Sequence, residues 1–292
     1  MRSRGRNTCC VSKNARKHGW FRRKSDSQKI KRFCCNVCGA TFSSATNQPT
    51  FGQNKRQINY KVQYFLASGV SMRRCAKLLN VSYPTIVKKL AFMGKMAQQK
   101  LGNMNLNHVK SVQFDELQTI EHTKLKPLSI AIAVADDSRK ILGFRVAKMP
   151  ATGHLAKASL KKYGQRPNER INQLRSLFKD LCNKLPENSC IKSDECSFYK
   201  RVVNDALPMA NYTQYKGGLS HVYGQGELKK VGRDPLFSIN HTLAMCRANI
   251  NRLFRRTWCT TKKNDGLIHH LSIYALMHNQ CLTPPHHQPI LN

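Results

Sequence analysis

Acidic residues are scarce in this chain. Fifteen Asp and Glu stand against fifty Lys and Arg among 292 residues, which gives a formal net charge of +35. This imbalance calls for an anionic partner, and nucleic acid fits best because Lys and Arg release condensed counterions when they neutralise phosphates. Asp26 is the only acidic residue before Asp115. We therefore expect the first part of the chain to be the main nucleic-acid-binding region.

Long apolar runs are also missing. The longest uncharged one, "LSIAIAVA" at 128–135, is far shorter than the roughly 20 residues that a membrane-spanning helix needs. The N-terminal "MRSRGRNTCC" has no apolar stretch behind its basic residues, so a secretory signal is not expected. These two absences exclude a membrane partner and predict a cytoplasmic protein. Its twelve cysteines are then expected to be metal ligands or core residues rather than disulfides.

The first block, 1–46, is predicted to be a zinc-ribbon-like basic segment. Cys35 and Cys38 have the spacing at which two thiolates bind one tetrahedral Zn²⁺, and Gly39 lets backbone amides turn toward the sulfurs. The second pair of ligands is irregular. The candidates for it are Cys10, with Cys9 as its substitute, and His18. A disordered basic arm and an eroded ribbon without metal are the alternatives.

The second block, 50–98, has the spacing of a helix-turn-helix. Ser71 and Ser82 can each cap a helix, and Asn80 tolerates the left-handed conformation of the turn between them. Ala76 is small enough for the two helices to approach closely. A plain three-helix bundle is the alternative, but the local positive charge favours DNA binding. The residues predicted to contact DNA from the second helix are Ser82, Tyr83, Thr85, Lys88 and Lys89.

The third block, 108–280, is predicted to be mixed α/β. Three strands follow one another in "VKSVQFDE", "LSIAIAVADD" and "KILGFRVAKM". The helix "NERINQLRSLFKDLCNKL", the strand "CIKSDEC" and the helix "FSINHTLAMCRANINRLFRR" come next. A three-strand meander, a helix and a returning strand open the ribonuclease-H-like fold, which we expect here as a catalytic domain. The Pro-rich tail, 281–292, is predicted to be disordered.

Two of these predicted strands end in acids: Asp115 with Glu116, and Asp194 with Glu195. In the expected fold the two strands lie side by side, so their carboxylates would converge. Successive strand residues point to opposite faces, so we expect only one acid of each pair, the shorter Asp, to enter the site. Carboxylates from separate strands suit Mg²⁺ and phosphoryl transfer. Ordinary solvated charges at the strand ends are the alternative.

The order of the Cys-x-x-Cys segment, the helix-turn-helix and "FDE…SDE" resembles the bacterial insertion-sequence transposases, especially the insertion-sequence-one family. The strongest local match is "INRLFRRTWCTTKKND" at 250–265, which is similar to that family's helix ending in a basic run. The resemblance implies a DDE-type enzyme that uses Mg²⁺ (or Mn²⁺) to nick transposon ends and join their 3′-hydroxyls to a target. It also implies double-stranded DNA as partner (terminal inverted repeats and target), a homo-oligomer on that DNA, and a nucleoid-associated location.

The resemblance places a third carboxylate, a Glu, where this chain has Asn240. We expect Asn240 to complete the Mg²⁺ ligands as a weaker third donor beside Asp115 and Asp194, with an impaired copy as one alternative. The possible substitutes for it are Glu227, Asp234 and His241. On the same helix Arg247, with Arg255 further on, is predicted to contact DNA. A DNA transposase is therefore the leading hypothesis, and a catalytically impaired, transposase-derived DNA-binding protein is the second.

Overall fold

The computed structural model describes residues 15–24, 26–46, 48–216, 234–254 and 257–282. The chain divides into two compact units, Met1–Tyr60 and Lys61–Asn292. Several predictions fall outside the described residues: those for Cys9, Cys10, Glu227, Arg255 and all but the first two residues of the tail.

The first unit contains a three-stranded antiparallel sheet in the order β1-β2-β3. Its strands are β1 (Ala15–Arg22), β2 (Lys29–Cys35) and β3 (Thr41–Ser43). The turn between β2 and β3 carries the Cys-x-x-Cys sequence, and it is closed by the Gly39 N–H, which donates to the Cys35 carbonyl at 3.0 Å. A short 3₁₀ helix, Arg56–Ile58, follows.

Three helices come next: α1 (Asn59–Leu66), α2 (Met72–Leu78) and α3 (Tyr83–Gly102). Ser71 caps α2 by accepting from the Arg74 N–H at 3.3 Å, as its sequence position predicts. Asn80 has a φ of 48°, which confirms the left-handed turn expected between α2 and α3. The helix α3 is longer than the segment predicted from the sequence.

The second unit also holds a mixed five-stranded sheet in the order β6-β5-β4-β7-β8. Its strands β4, β5 and β6 pair antiparallel, whereas β4 with β7 and β7 with β8 pair parallel. The predicted α/β class is therefore confirmed, with β4 in the middle of the sheet. The strand bounds are β4 (Ser111–Ile120), β5 (Pro127–Ala135), β6 (Ile141–Lys148), β7 (Cys190–Asp194) and β8 (Asn211–Tyr215).

Helices cover both faces of this sheet. The remaining helices are α4 (Ala156–Tyr163), α5 (Arg170–Cys182), α6 (Tyr199–Ala206), α7 (Phe237–Asn249) and α8 (Asn264–Cys281). Phe114 of β4 packs among residues of α5 and α6 on one face of the sheet, and Leu117, three residues further along β4, packs among residues of α7 and α8 on the other.

The helix predicted over 237–256 is too long and has to be corrected. It ends at Asn249, because Ile250 adopts an extended conformation with φ −104° and ψ 104°. The Asn249 carbonyl accepts from the Gly69 N–H at 2.7 Å, so the end of α7 is tied to the loop after α1. Within the described residues, no helix is both long and apolar enough to cross a membrane.

Candidate active site

The central strands β4 and β7 bring Asp115 and Asp194 to the same level of the sheet. The two strands pair in parallel from Ser111 opposite Cys190 to Gln113 opposite Lys192. Asp115 lies two residues beyond Gln113 and Asp194 two residues beyond Lys192. Because parallel strands advance together, the two carboxylates lie at matching positions on neighbouring strands.

A polar contact fixes the face on which Asp115 lies. Gln113 and Lys192 both reach Asp136, and the Lys192 Nζ lies 2.7 Å from its Oδ2. Side chains two residues apart on a strand share a face, so Asp115 lies on this face too. Asp194 is the last residue of β7, and the charges that act on it are those of Glu116 and Arg170. Gln113 also accepts from the Ile239 N–H at 3.0 Å, which fixes the start of α7 over the same face.

Burial and mutual repulsion make this pair unfavourable in its charged form. The pKa of Asp115 is raised to about 7, mainly by burial and then by the charge of Asp194. The Glu116 N–H, which donates to Asp115 at 2.6 Å, and the charge of Arg247 only partly oppose this rise. Burial and the charge of Glu116 raise the pKa of Asp194, whose Oδ1 is buried without a hydrogen-bond partner. A bound cation would relieve the repulsion between the carboxylates and give Asp194 Oδ1 a partner.

Glu116 lies on the opposite face and has a complete set of partners of its own. Arg170 forms an ion pair with both of its oxygens, and the Arg170 Nε lies 3.0 Å from Oε2. Ser129 Oγ donates to Oε1 at 2.8 Å, and the Tyr199 hydroxyl donates to Oε2 at 3.2 Å. The side chain is only 4% exposed. This acid therefore stabilises the packing of α5 and α6, whereas Glu195 is exposed.

Asn240 is exposed on α7, and its side chain donates to Asp234 Oδ2 at 3.0 Å. Asp234 also accepts from the Leu236 N–H at 2.8 Å, so it orders the turn that leads into that helix. Another proposed substitute, His241, lies 3.5 Å from the Arg139 guanidinium. Among the residues that the structure describes, no group of three or more His, Cys, Asp or Glu is arranged to hold a metal ion. The described part of the chain thus provides two converging carboxylates, and the third ligand stays a prediction.

The cysteine-rich turn has only part of the predicted zinc ligands near it. Cys35 is buried and Cys38 is exposed at the two ends of the turn. His18 belongs to β1, where Ala15 is the residue paired with Cys35. Three further residues of strand, at roughly 3.3 Å each, place His18 about 10 Å along β1 from that pairing. The structure therefore does not bring His18 to the two cysteines.

The predicted DNA-binding face of α3 is exposed at Ser82, Tyr83 and Lys88, and half-buried at Thr85. Lys89 is a wrong prediction, because its side chain is only 3% exposed. It lies three residues after the buried Ile86 and so belongs to the inner face of α3. On α7, Arg247 is half-buried, and its charge acts on Asp115. This places Arg247 beside the acid pair rather than on a remote DNA-binding surface.

Sequence reasoning missed three residues that shape the site: Gln113, Arg170 and Tyr199. A polar residue in an otherwise apolar strand was an available signal for Gln113, because buried amides are normally hydrogen-bonded. Arg170 gave no such signal, since its partner Glu116 is 54 residues away in the sequence.

The chain matches no protein-family model and no curated protein. Its function therefore has to be argued from its own residues.

Proposed function

We propose that this protein is a DDE-type DNA transposase, acting as a homo-oligomer on the terminal inverted repeats of its own element and on target DNA. The observation that carries the proposal is the pair of half-buried carboxylates, Asp115 and Asp194, at matching positions on adjacent parallel strands. The strand order β6-β5-β4-β7-β8, with three antiparallel strands followed by two parallel ones, supports a ribonuclease-H-like catalytic domain.

The acid pair suits phosphoryl transfer in a strongly basic protein. When bound, Mg²⁺ would activate the attacking oxygen and stabilise the leaving oxygen. Asp115 and Asp194 would hold the ion. The excess of Lys and Arg would bind the DNA backbone, and Arg247, whose charge acts on Asp115, would contribute to the positive field at the site.

The helices α2 and α3 support recognition of duplex DNA. Their left-handed turn at Asn80 and the exposed Ser82, Tyr83 and Lys88 at the start of α3 agree with a recognition helix whose first residues reach base edges. Because α3 packs against the rest of the protein through its other face, the exposed start of the helix would be available to a groove of the DNA.

The test is cleavage and strand transfer on DNA that carries the ends flanking this reading frame, with Mg²⁺ or Mn²⁺. Asp115→Asn and Asp194→Asn should each lower the rate of cleavage by more than about a hundredfold. Losing a residue that only supports a metal ligand already costs up to about a hundredfold, and these changes remove the ligands themselves. Both variants should still bind the DNA. Glu195→Gln, an exposed acid next to Asp194, is the matched control and should keep its activity.

Full activity in both Asn variants would contradict the proposal. The second candidate, an impaired transposase-derived DNA-binding protein, is favoured by one observation: Asn240 is exposed and hydrogen-bonds Asp234. Specific DNA binding without cleavage in either metal, together with cleavage gained by Asn240→Glu, would support that candidate instead.

A further inference from the structure

The sheet of the first unit carries an exposed tryptophan. Trp20 of β1 is 52% exposed and is one of only two tryptophans in the chain. Its cross-strand partner is Lys31. The Nζ atoms of Lys29 and Lys31 lie 5.1 and 5.3 Å from the centre of its ring. The two ammonium groups therefore lie over the ring, and about half of the residue's surface is open to solvent.

A bulge in β1 puts the ring on this face. Lys17 pairs with Phe33, but Trp20 pairs with Lys31, so β1 has one residue more than β2 between these pairs. Gly19 lies in the bulge with a φ of +79°, a conformation that suits glycine. Without the extra residue Trp20 would lie opposite Ile30, which is 8% exposed and faces inward. The bulge thus turns a large apolar ring away from the interior.

The surroundings of Trp20 are basic. Arg22 pairs with Lys29 one step further along the same face, and both are exposed. The nearby acid, Asp26, is bound by Arg23 in an ion pair. We call the exposed surface formed by Trp20, Arg22, Lys29 and Lys31 the Trp20 face.

We propose that the Trp20 face binds single-stranded DNA by stacking an unpaired base on the Trp20 ring. The bases of an intact duplex already stack on each other, so their faces are closed to the ring, whereas an unpaired base is available. Arg22, Lys29 and Lys31 then contact the phosphates on either side of that base. This inference rests on the proposed function only for the identity of the polymer, and it adds a site for the unpaired strand exposed when a DNA end is opened.

Intrinsic fluorescence tests the inference directly in the full-length protein. Trp258→Phe leaves Trp20 as the only tryptophan. This protein is titrated, without divalent metal, with a single strand of about ten nucleotides, within the usual site size for such surfaces. The same sequence as a duplex, and as RNA, is titrated at equal phosphate concentration. Stacking predicts strong quenching of Trp20 by the single-stranded DNA and weak quenching by the duplex.

Variants then separate stacking from charge. Trp20→Ala should weaken single-strand affinity about tenfold or more, in line with the loss of one stacked base, and leave duplex affinity unchanged. Trp20→Phe keeps an aromatic face and should stay within about threefold of the parent. Phe51→Ala, which removes another exposed aromatic side chain of the same unit, is the matched control and should change neither affinity.

The inference is overturned if Trp20→Ala leaves single-strand affinity unchanged or weakens single-strand and duplex binding equally. Stronger quenching by the RNA would overturn the assignment to DNA. These titrations need no cleavage, so a chain that stacks single strands through Trp20 but never cuts DNA would contradict the proposed catalysis and not this site.

Discussion

At the scale of single residues, Asp115 and Glu116 are neighbours with opposite surroundings. The pleat of β4 sends Asp115 toward Asp194, where burial and repulsion raise its pKa, and sends Glu116 toward Arg170, where an ion pair holds it. One acid is therefore poorly satisfied and the other fully satisfied. This contrast is the physical reason for treating Asp115 as a ligand and Glu116 as part of the packing.

The raised pKa of Asp115 predicts a pH dependence of stability in the metal-free protein. Its ordinary pKa of 3.8 rises to about 7 in the folded state, so the folded state holds this proton more tightly than the unfolded one. The resulting stabilisation is complete below pH 4 and is lost as the pH rises to about 7. Relative to the parent, Asp115→Asn should therefore gain on the order of 4 kcal/mol of unfolding free energy between pH 4 and pH 8.

Urea unfolding in the presence of a chelator, at the two ends of that range, measures this change. Glu195→Gln, whose side chain is exposed, is the control and should differ from the parent equally at both pH values. The same equal difference in Asp115→Asn would contradict the raised pKa.

Glu116→Gln should lower the free energy of unfolding, because Glu116 holds the packing of α5 and α6. The change leaves the Arg170 guanidinium partly buried without its anion, which is expected to cost about 1–3 kcal/mol of unfolding free energy. Arg175 lies on the same helix as Arg170, and its ion-pair partner Asp205 is more exposed than Glu116. Asp205→Asn should therefore cost less than about 1 kcal/mol. Equal losses in the two variants, measured by urea unfolding, would show that burial does not distinguish these ion pairs.

At the scale of elements, α8 joins the helix-turn-helix to the sheet. Its His270 is fully buried, and the Nε2–H donates to the Leu66 carbonyl of α1 at 2.7 Å, while burial lowers the pKa of this ring to about 4. The ring is therefore neutral at physiological pH and serves the packing. Leu271 of α8 and Leu101 of α3 belong to the same apolar cluster on the sheet. The helix α3, which is proposed to contact DNA, thus shares an apolar core with the sheet.

A close approach of α3 to α8 predicts a strong effect at Gly94. A methyl group at this position would lie 2.4 Å from His269 Cβ and 2.7 Å from its Cα. Gly94→Ala should therefore destabilise the protein by about 1–3 kcal/mol. In Gly102→Ala, at the end of the same helix, the added methyl meets nothing within 4 Å, so stability should stay the same or rise slightly. Thermal unfolding of both variants gives the comparison, and a Gly94 variant as stable as the parent would exclude the close contact.

At the scale of the whole molecule, a net charge of +35 predicts that the proposed DNA binding depends strongly on salt. The adjacent lysines of α3 should differ in their share of this effect. Lys88 is exposed, so Lys88→Ala should weaken duplex binding and reduce the slope of log affinity against log salt by about 1. Lys89 is buried, so Lys89→Ala should keep the slope and lower the melting temperature instead. Binding isotherms at several salt concentrations test this, and identical slopes for the two variants would contradict the orientation of α3.

Local apolar patterns predicted β4 to β7, α2, α3 and α5 from the sequence. The helices α3 and α5 bury one face and expose the other, whereas β5 is a continuous apolar run that is buried on both faces. The same reasoning missed β8 and α6, and it ran α7 past Asn249, where a hydrogen bond from the distant Gly69 ends the helix. It also placed Lys89 outside, since the positive charge of a side chain does not reveal which neighbour covers it.

The sequence by itself determined the basic character of the protein, its mixed α/β class and the presence of acids on two strands, since each follows from composition or local periodicity. The expectation that both strands end at these acids was wrong for the first, because β4 continues past Asp115 to Ile120, whereas β7 does end at Asp194. Only the tertiary structure decided that Asp115 and Asp194 lie at one level, that Glu116 is held by Arg170, and that Trp20 faces outward through a bulge at Gly19. These depend on strand register and on contacts between residues far apart in the chain, which local pattern does not encode.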